Sequence, residues 1–201
     1  MRNTLLLTVL LFLFCRGQES KTETPAQVIP QSTKSVLMVI APKDFRDEEF
    51  KEPYDLLTKS GIKVVIASTD TMPTKGMLGM VVNPQITLDQ VNSESFDALV
   101  IVGGAGCQTL WDNATLHGIV QNFNANDKTI AAICIAPVVL ARAGILREVK
   151  ATVFPSVQDE ITSCGAKYTG AKVEVDRNII TGSGPEAAKD FAVAISNSIK
   201  K

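Results

Sequence analysis

The amino-acid sequence predicts an α/β protein, a three-layer α/β/α sandwich around a mainly parallel sheet. From Ser35 onward, short β-branched runs alternate with longer amphipathic stretches, which is the pattern of repeated strand–helix units. The strand-like runs are apolar throughout, as expected when helices cover both faces of a sheet. A chain of 201 residues, 45% hydrophobic and 20% charged, is long enough to bury one substantial core. We therefore predict a single domain over residues 35–201.

The first half of this domain opens with a βαβ unit. A strand is predicted at 36–41, a helix at 48–60 and a strand at 63–67, and Gly61 stands where the helix should end. After this unit, residues 76–86 predict a small irregular hairpin.

The second half continues the alternation of strands and helices. Pro185 suits the first turn of the last helix, and Glu186 beside it complements the positive end of the helix dipole. We predict strands at 98–102, 129–133, 151–154, 173–175 and 178–181, and helices at 109–123, 136–143, 158–163 and 185–199.

The amino terminus predicts export. Arg2 precedes an apolar run at 5–14, which is typical of a secretory signal peptide and too short to span a bilayer as a mature helix. We expect a signal peptide over residues 1–17, cleaved before Gln18. The protein is then periplasmic or secreted, and no other segment is predicted to span a membrane.

Cys15 leaves one alternative open, a lipid anchor that would make the protein a membrane-tethered lipoprotein. Phe14 argues against it, because the residue before a lipidated cysteine is normally small. Residues 18–34 are rich in Ser, Thr, Gln, Glu and Pro and predict a flexible linker under either alternative.

Charge and cysteine usage exclude several classes of function. Removing residues 1–17 takes away two arginines and no acid, so the formal net charge changes from −1 to −3, and nothing indicates nucleic-acid binding. The remaining Cys107, Cys134 and Cys164 are odd in number and fit neither a disulfide framework nor a zinc site, so no metal is expected. The glycine-rich turn at 103–106 does not complete the dinucleotide fingerprint. We therefore expect no nicotinamide or flavin cofactor.

Cys134 is the main candidate for a reactive group. It lies where an apolar strand meets a helix, between the small Ala132 and Ala136, and Pro137 suits the first helical turn, which is the form of a nucleophile elbow. Such a turn holds its central residue in a strained conformation at the carboxyl edge of the sheet, where a helix start favours the thiolate. On this segment alone, a small buried hydrophobe is an equally good interpretation.

Two other segments are expected to place polar groups at the same carboxyl edge of the sheet. Gly103 and Gly104 follow a strand and would let backbone N–H groups approach a bound oxyanion closely, although glycines after strands are often only turns. Residues 44–52 crowd acidic side chains at the start of the first helix, where most of them are expected to be solvated charges that complement the dipole.

Four segments, in order, resemble the ThiJ/PfpI superfamily, which includes deglycase-like, chaperone-like and intracellular peptidase-like proteins. They are an acid in the first helix before EPY at 52–54, DALVIVGG at 97–104, AIC at 132–134 and IITGSGP at 179–185. The resemblance covers residues 35–200. It implies a flavodoxin-like or class I glutamine amidotransferase-like fold with a nucleophile elbow, and a homodimer.

The resemblance also assigns roles to individual residues. It implies that Cys134 is the catalytic nucleophile and that the family's carboxylic acid is Glu49, which in relatives is protonated and hydrogen-bonds the elbow sulfur. A buried carboxyl beside a thiolate has a raised pKa, so Glu49 would also be able to move a proton for the substrate. The family's oxyanion-binding amides fall on Gly104 and Ile135, beside Gly103, and require only backbone.

The chain departs from the family pattern at two positions. Ile135 stands where peptidase-like relatives have histidine, and Phe154, before Pro155, stands where several relatives have His or Tyr. The predicted pocket around Phe154 and Pro155 has therefore lost a polar group. The only histidine, His117, falls within a predicted helix and is expected to be a surface or packing residue. Without a Cys–His pair, proton transfers fall to Glu49, and peptidase activity is disfavoured.

Cys107, just beyond the glycine turn, is expected near the same edge of the sheet. It would be able to resolve an oxidised Cys134 as a disulfide, although packing is the simpler interpretation.

Three functions compete on these observations. The first is cofactor-free glyoxalase or deglycase chemistry on small reactive carbonyls, with Cys134 as nucleophile and Glu49 as proton carrier. The second is a non-enzymatic thiol sensor of oxidative stress or a protective chaperone-like protein, in which Cys134 is oxidised to a sulfinate. The third is a binding module whose pocket Ile135 and Phe154 make apolar, and a peptidase or amidase ranks below the first two.

Overall fold

A seven-stranded, mostly parallel sheet with helices on both faces forms the centre of the molecule. The computed structural model describes residues 34–200. The predicted signal peptide, the lipidation candidate Cys15 and the predicted linker up to residue 33 lie outside the described residues.

The elements follow one another in the alternating order that the sequence predicts. The helices are α1 (Asp47–Lys59), α2 (Ala114–Ala125), α3 (Pro137–Arg142), α4 (Gln158–Thr162) and α5 (Ala188–Ile199). The strands are β1 (Ser35–Val39), β2 (Lys63–Ser68), β3 (Thr74–Lys75), β4 (Val81–Val82), β5 (Ile86–Thr87), β6 (Ala98–Ile101), β7 (Thr129–Ile133), β8 (Lys150–Ala151), β9 (Lys167–Tyr168), β10 (Val173–Asp176) and β11 (Ile179–Gly182).

The central sheet has the order β10-β11-β7-β6-β1-β2-β5. Only the edge pair β10–β11 is antiparallel, and every other neighbouring pair is parallel. The carboxyl ends of β1, β6 and β7 therefore meet at one edge of the sheet, which is where ligands bind in open parallel sheets.

Side chains of the central strands alternate between two apolar layers. In β1, Leu37 and Val39 pack into the layer that α2 and α3 cover, while Val36 and Met38 pack into the layer of α1 and α5. All four side chains are fully buried. This burial on both faces confirms the three-layer α/β/α fold that the unbroken apolar strands predict.

The helix after β6 begins later than predicted. Residues Ala105–Leu110 form a 3-10 helix instead, and α2 starts at Ala114 because the Asn113 side chain accepts a hydrogen bond from Leu116 N at 2.9 Å. The last helix shows the same feature on a smaller scale, with a 3-10 turn at Pro185–Ala187 before α5.

The strand predicted at 151–154 does not join the central sheet. Only β8 pairs, with β9, in a separate two-stranded sheet. Beyond it, Thr152 N donates to Thr181 Oγ1 and Phe154 N donates to Cys134 O, both at 2.9 Å. Through these hydrogen bonds, the apolar run at 151–154 connects β11 to the turn after β7.

The hairpin predicted at 76–86 is present but shorter. Its strands are β3 and β4, which pair antiparallel, whereas Ile86 belongs to β5 at the edge of the central sheet. Between residues 34 and 200, no helix is both long and apolar enough to cross a bilayer.

The turn after β6 packs tightly on the loop between β1 and α1. Arg46 N donates to Gly103 O at 3.0 Å, and Gly106 N donates to Asp44 O at 3.1 Å. A Cβ atom at Gly106 would collide with the Lys43 carbonyl, so no larger residue fits there.

Two glycine-to-alanine substitutions test this packing. Gly106→Ala should lower the free energy of unfolding by about 1–3 kcal/mol because of the collision. Gly118→Ala, exposed in α2 with nothing within 4 Å of the added methyl, should raise it by about 0.5–1 kcal/mol. Urea unfolding of both variants measures the difference, and equal effects would contradict the described contact.

Candidate active site

Cys134 occupies a strained turn at the carboxyl end of β7. Its φ is 64°, a left-handed conformation that residues other than glycine rarely adopt. The turn is fixed from both sides, since Cys134 N donates to Gly182 O and Phe154 N donates to Cys134 O, each at 2.9 Å. These contacts give the elbow geometry that the sequence predicts, with only 8% of Cys134 exposed.

Two backbone N–H groups face the sulfur of Cys134. They belong to Gly104 and Ile135, and both interactions lower the pKa of the thiol. The hydrogen bond from Phe154 N to Cys134 O orients the peptide plane that carries the Ile135 N–H. On its other side, Ile135 O accepts from Trp111 Nε1 at 3.0 Å. Two donors therefore converge on the point where negative charge would develop.

The carboxyl of Glu49, in α1, reaches the Cys134 side chain and is fully buried. A Cβ atom at Gly103 would come within 2.6 Å of Glu49 Oε2 and within 2.5 Å of Cys134 Cβ, so glycine is required for this approach. The polar neighbours of the carboxyl are the Cys134 thiol and the Gly103 amide. Within residues 34–200, neither Glu49 oxygen has a hydrogen-bond partner of normal geometry.

Burial raises the pKa of Glu49 from 4.5 to about 8. Interactions with Cys134, Arg46 and the Gly103 amide lower this pKa but do not cancel the cost of burying the charge. The carboxyl is therefore protonated at neutral pH and has an O–H to donate.

Burial also raises the pKa of Cys134, to about 12, and the adjacent Glu49 charge adds to the rise. The amides of Gly104 and Ile135 oppose it. The structure therefore does not favour the resting thiolate that a helix start suggests, because the site is buried and α3 has only six residues. Instead, the first proton that the Cys134–Glu49 pair loses, near pH 8, comes from Glu49, and the thiol keeps the second.

A pocket of about 240 Å³ opens onto this pair. Its walls are mainly apolar, and one basic side chain is present among the lining residues. The lining residues are Arg46, Glu49, Met77, Gly104, Ala105, Cys134, Ile135, Phe154, Ser156 and Pro185.

Several residues proposed from the sequence fall into this pocket and others do not. Phe154 lines it, but Pro155 does not, because the chain enters a 3-10 turn at Pro155 and presents Ser156 instead. Gly103 lies behind the pocket, against Glu49 and Cys134.

Cys107 and His117 also lie outside the pocket lining. Cys107 is free and fully buried in the layer of α2 and α3, where burial raises the pKa of its thiol. This position favours packing over the resolving role. The His117 Nε2 lies 2.7 Å from Trp111 O, which leaves His117 a packing residue of α2.

Asp47 holds the β3–β4 hairpin at the pocket, a role that the sequence does not indicate. It was expected to be a solvated charge, but it is 6% exposed and accepts hydrogen bonds from Leu78 N at 2.8 Å and Met80 N at 2.7 Å. These bonds hold the tip of the β3–β4 hairpin against α1 and place Met77 in the pocket wall. No sequence signal distinguished Asp47 from the other acidic residues at 44–52.

Comparison with known proteins identifies the family. A model of the DJ-1/PfpI family matches residues 34–198. The chain belongs to the DJ-1/PfpI family. This confirms the family resemblance that the four sequence segments carry.

Individual relatives of this family span most of the chain. An uncharacterized protein of Methanocaldococcus jannaschii is 44% identical over 83% of this chain and 82% of that protein. A glutathione-independent glyoxalase of Caenorhabditis elegans is 31% identical over 83% and 89%. A deglycase of Pyrococcus horikoshii is 33% identical over 74% and 90%.

The fold is also found in solved structures. A ThiJ/PfpI domain protein from Brachyspira murdochii superposes with a TM-score of 0.81 at 33% identity, covering 83% of this chain and 96% of that one. The predicted flavodoxin-like arrangement is therefore confirmed.

The pKa of Glu49 predicts how stability depends on pH. Between pH 4.5 and about 8 the folded state holds a proton that the unfolded state has lost, so the free energy of unfolding falls as pH rises through this window. The decline should approach about 1.4 kcal/mol per pH unit. Glu49→Gln should remove this contribution, which urea unfolding at several pH values measures, and parallel profiles for the two proteins would contradict a raised pKa.

Proposed function

We propose that this DJ-1/PfpI protein is a cofactor-free enzyme of the glyoxalase or deglycase type, acting on small reactive carbonyls. The observation that carries the proposal is the pairing of buried Glu49 with Cys134 under two backbone donors, at the base of a small pocket. The glyoxalase and deglycase relatives support the same general chemistry.

The first step on a 2-oxoaldehyde is addition of sulfur to the aldehyde carbon. The reactive form is the pair that has lost one proton, in which ionised Glu49 takes the thiol proton of Cys134 as the sulfur attacks, so that the remaining proton lies on Glu49. A C–S bond forms, and the aldehyde oxygen gains charge that the amides of Gly104 and Ile135 stabilise. The Glu49 proton then neutralises this oxygen and gives a hemithioacetal.

The second step moves a hydrogen within the adduct. Glu49, now ionised, takes the proton from the former aldehyde carbon to give an enediol and returns it to the neighbouring ketone carbon, while the hydroxyl proton on the former aldehyde oxygen moves to the ketone oxygen. The aldehyde carbon is oxidised to a thioester while the ketone carbon is reduced to an alcohol. Water then hydrolyses the thioester, so one oxoaldehyde and one water give one 2-hydroxy acid. No external oxidant or reductant is required.

The pocket disfavours peptidase chemistry. Position 135 carries isoleucine, and His117 does not line the pocket. Glu49 is the one carboxyl among the residues that line it, so the proton transfers depend on this side chain.

A thiol sensor is the second candidate, and the same amides favour it. A sulfinate on Cys134 would accept hydrogen bonds from Gly104 and Ile135, and protonated Glu49 would donate a third. In a sensor, oxidation of Cys134 is the signal. In an enzyme, the same oxidation would only remove activity.

Export and dimerisation remain proposals that rest on the sequence. The apolar run at 5–14 supports a signal peptide, and cell fractionation with N-terminal mapping distinguishes cleavage before Gln18 from lipidation at Cys15. The homodimer is supported by the family resemblance alone.

Turnover of methylglyoxal tests the enzyme proposal. Cys134→Ala should reduce kcat/KM to background, and Glu49→Gln should lower it by about 10²–10⁴-fold because the proton carrier is lost. Cys164→Ala, which does not line the pocket, is the matched control and should behave as wild type. For the wild type, kcat/KM should rise with pH up to about 8. Wild-type activity equal to background would sink the proposal.

Mild peroxide treatment followed by intact and peptide mass spectrometry tests the sensor. Cys134 should gain two oxygen atoms, whereas the partly buried Cys164 should gain none. Oxidation of Cys164 before Cys134, or of neither, would argue against a sensor.

A further inference from the structure

Arg46 gives the pocket a charge that the proposed reaction does not use. It is the one basic residue among the pocket-lining residues, and the walls around it are apolar at Met77, Ile135 and Phe154. Glu49, the one acid in the lining, is protonated at neutral pH because burial raises its pKa. The pocket therefore presents a positive group with no compensating negative charge on its own wall.

The position of Arg46 is fixed by two sets of contacts. Its backbone N donates to Gly103 O at 3.0 Å, which places the residue beside the glycine turn that carries the Gly104 amide. Its side chain is held by Glu48, with Nε to Oε2 at 2.8 Å and Nη2 to Oε1 at 3.2 Å. Glu48 does not line the pocket, so this pair orients the guanidinium from outside.

The Arg46 guanidinium has N–H donors that no residue within 34–200 accepts. Within residues 34–200, Nη1 of Arg46 makes no hydrogen bond, and neither does the exposed hydroxyl of Ser156 in the same lining. A planar carboxylate matches the two-pronged geometry of a guanidinium edge. A dianionic group would suffer more from the nearby Glu48 charge than a single carboxylate would.

We propose that the pocket selects carbonyl substrates that carry a carboxylate, which binds Arg46 and Ser156 while the aldehyde carbon lies at Cys134. This inference rests on the proposed function, since it names the substrate class of the same site. The expected substrates are 2-oxoaldehydes with a carboxylate a few carbons from the dicarbonyl unit, and the products are hydroxy dicarboxylic acids.

The test compares 4,5-dioxopentanoate with its methyl ester, which has the same reactive end and no charge. The wild type should favour the anion in kcat/KM by about tenfold or more, as expected for hydrogen bonds to a charged group. Arg46→Met should bring the ratio close to one, and Arg46→Lys should retain part of it. An effect of Arg46 on the pKa of Glu49 would change kcat/KM for both compounds by the same factor. The ratio of the two kcat/KM values therefore reports only recognition of the carboxylate.

Arg147→Met is the matched control. Arg147 is exposed and does not line the pocket, so its loss should leave both rate constants unchanged. A wild-type enzyme that turns over both compounds equally, or a ratio that Arg46→Met does not alter, would overturn the inference and leave the proposed function standing.

Binding of glutarate separates the two proposals, because glutarate carries carboxylates and no reactive carbonyl. Calorimetry should detect binding to the wild type that Arg46→Met weakens by about tenfold. Arg46-dependent binding without turnover of any oxoaldehyde would support the anion site and contradict the enzyme. Absence of glutarate binding in an active enzyme would contradict the anion site.

Discussion

The burial of one carboxyl beside one sulfur governs the rest of this structure. Glu49 is fully buried, has no hydrogen-bond partner of normal geometry within residues 34–200, and approaches Cys134 only because Gly103 has no side chain. A buried charge without compensation is costly, so the carboxyl retains its proton to about pH 8. That retained proton is what allows a single side chain to act as both acid and base.

The fold holds this pair in place from three sides. β7 delivers Cys134 in a left-handed conformation, and bonds to Gly182 and Phe154 hold it there. α1 supplies Glu49, while Asp47 in the same helix ties down the hairpin that closes the pocket with Met77. The sheet edge, the helix start and the hairpin therefore form one unit, in which the apolar walls keep water away from the carboxyl and the backbone amides face the reacting atoms.

The sequence predicted the fold well because unbroken apolar strands have few alternatives to burial on both faces. Local chemistry made Cys134 a candidate but fitted a small buried hydrophobe equally well. The sequence connected Cys134 to Glu49 only through the family resemblance, since no local pattern relates two residues so far apart in the chain. Arg46 and Asp47 were missed because a cluster of charges at a helix start looks the same whether it is solvated or buried. The run at 151–154 was predicted as a strand because composition does not reveal that its amides bond to Thr181 and Cys134.

Direct titration of the Glu49 carboxyl tests the central claim. Infrared difference spectra across pH 5 to 10 report the C=O stretch of a protonated carboxylic acid, and Glu49→Gln assigns the band. The protonated band should be present at pH 6, disappear with a midpoint near 8, and be absent from the variant. A Glu49 that is already ionised at pH 6, with a midpoint near the ordinary value of 4.5, would contradict the account.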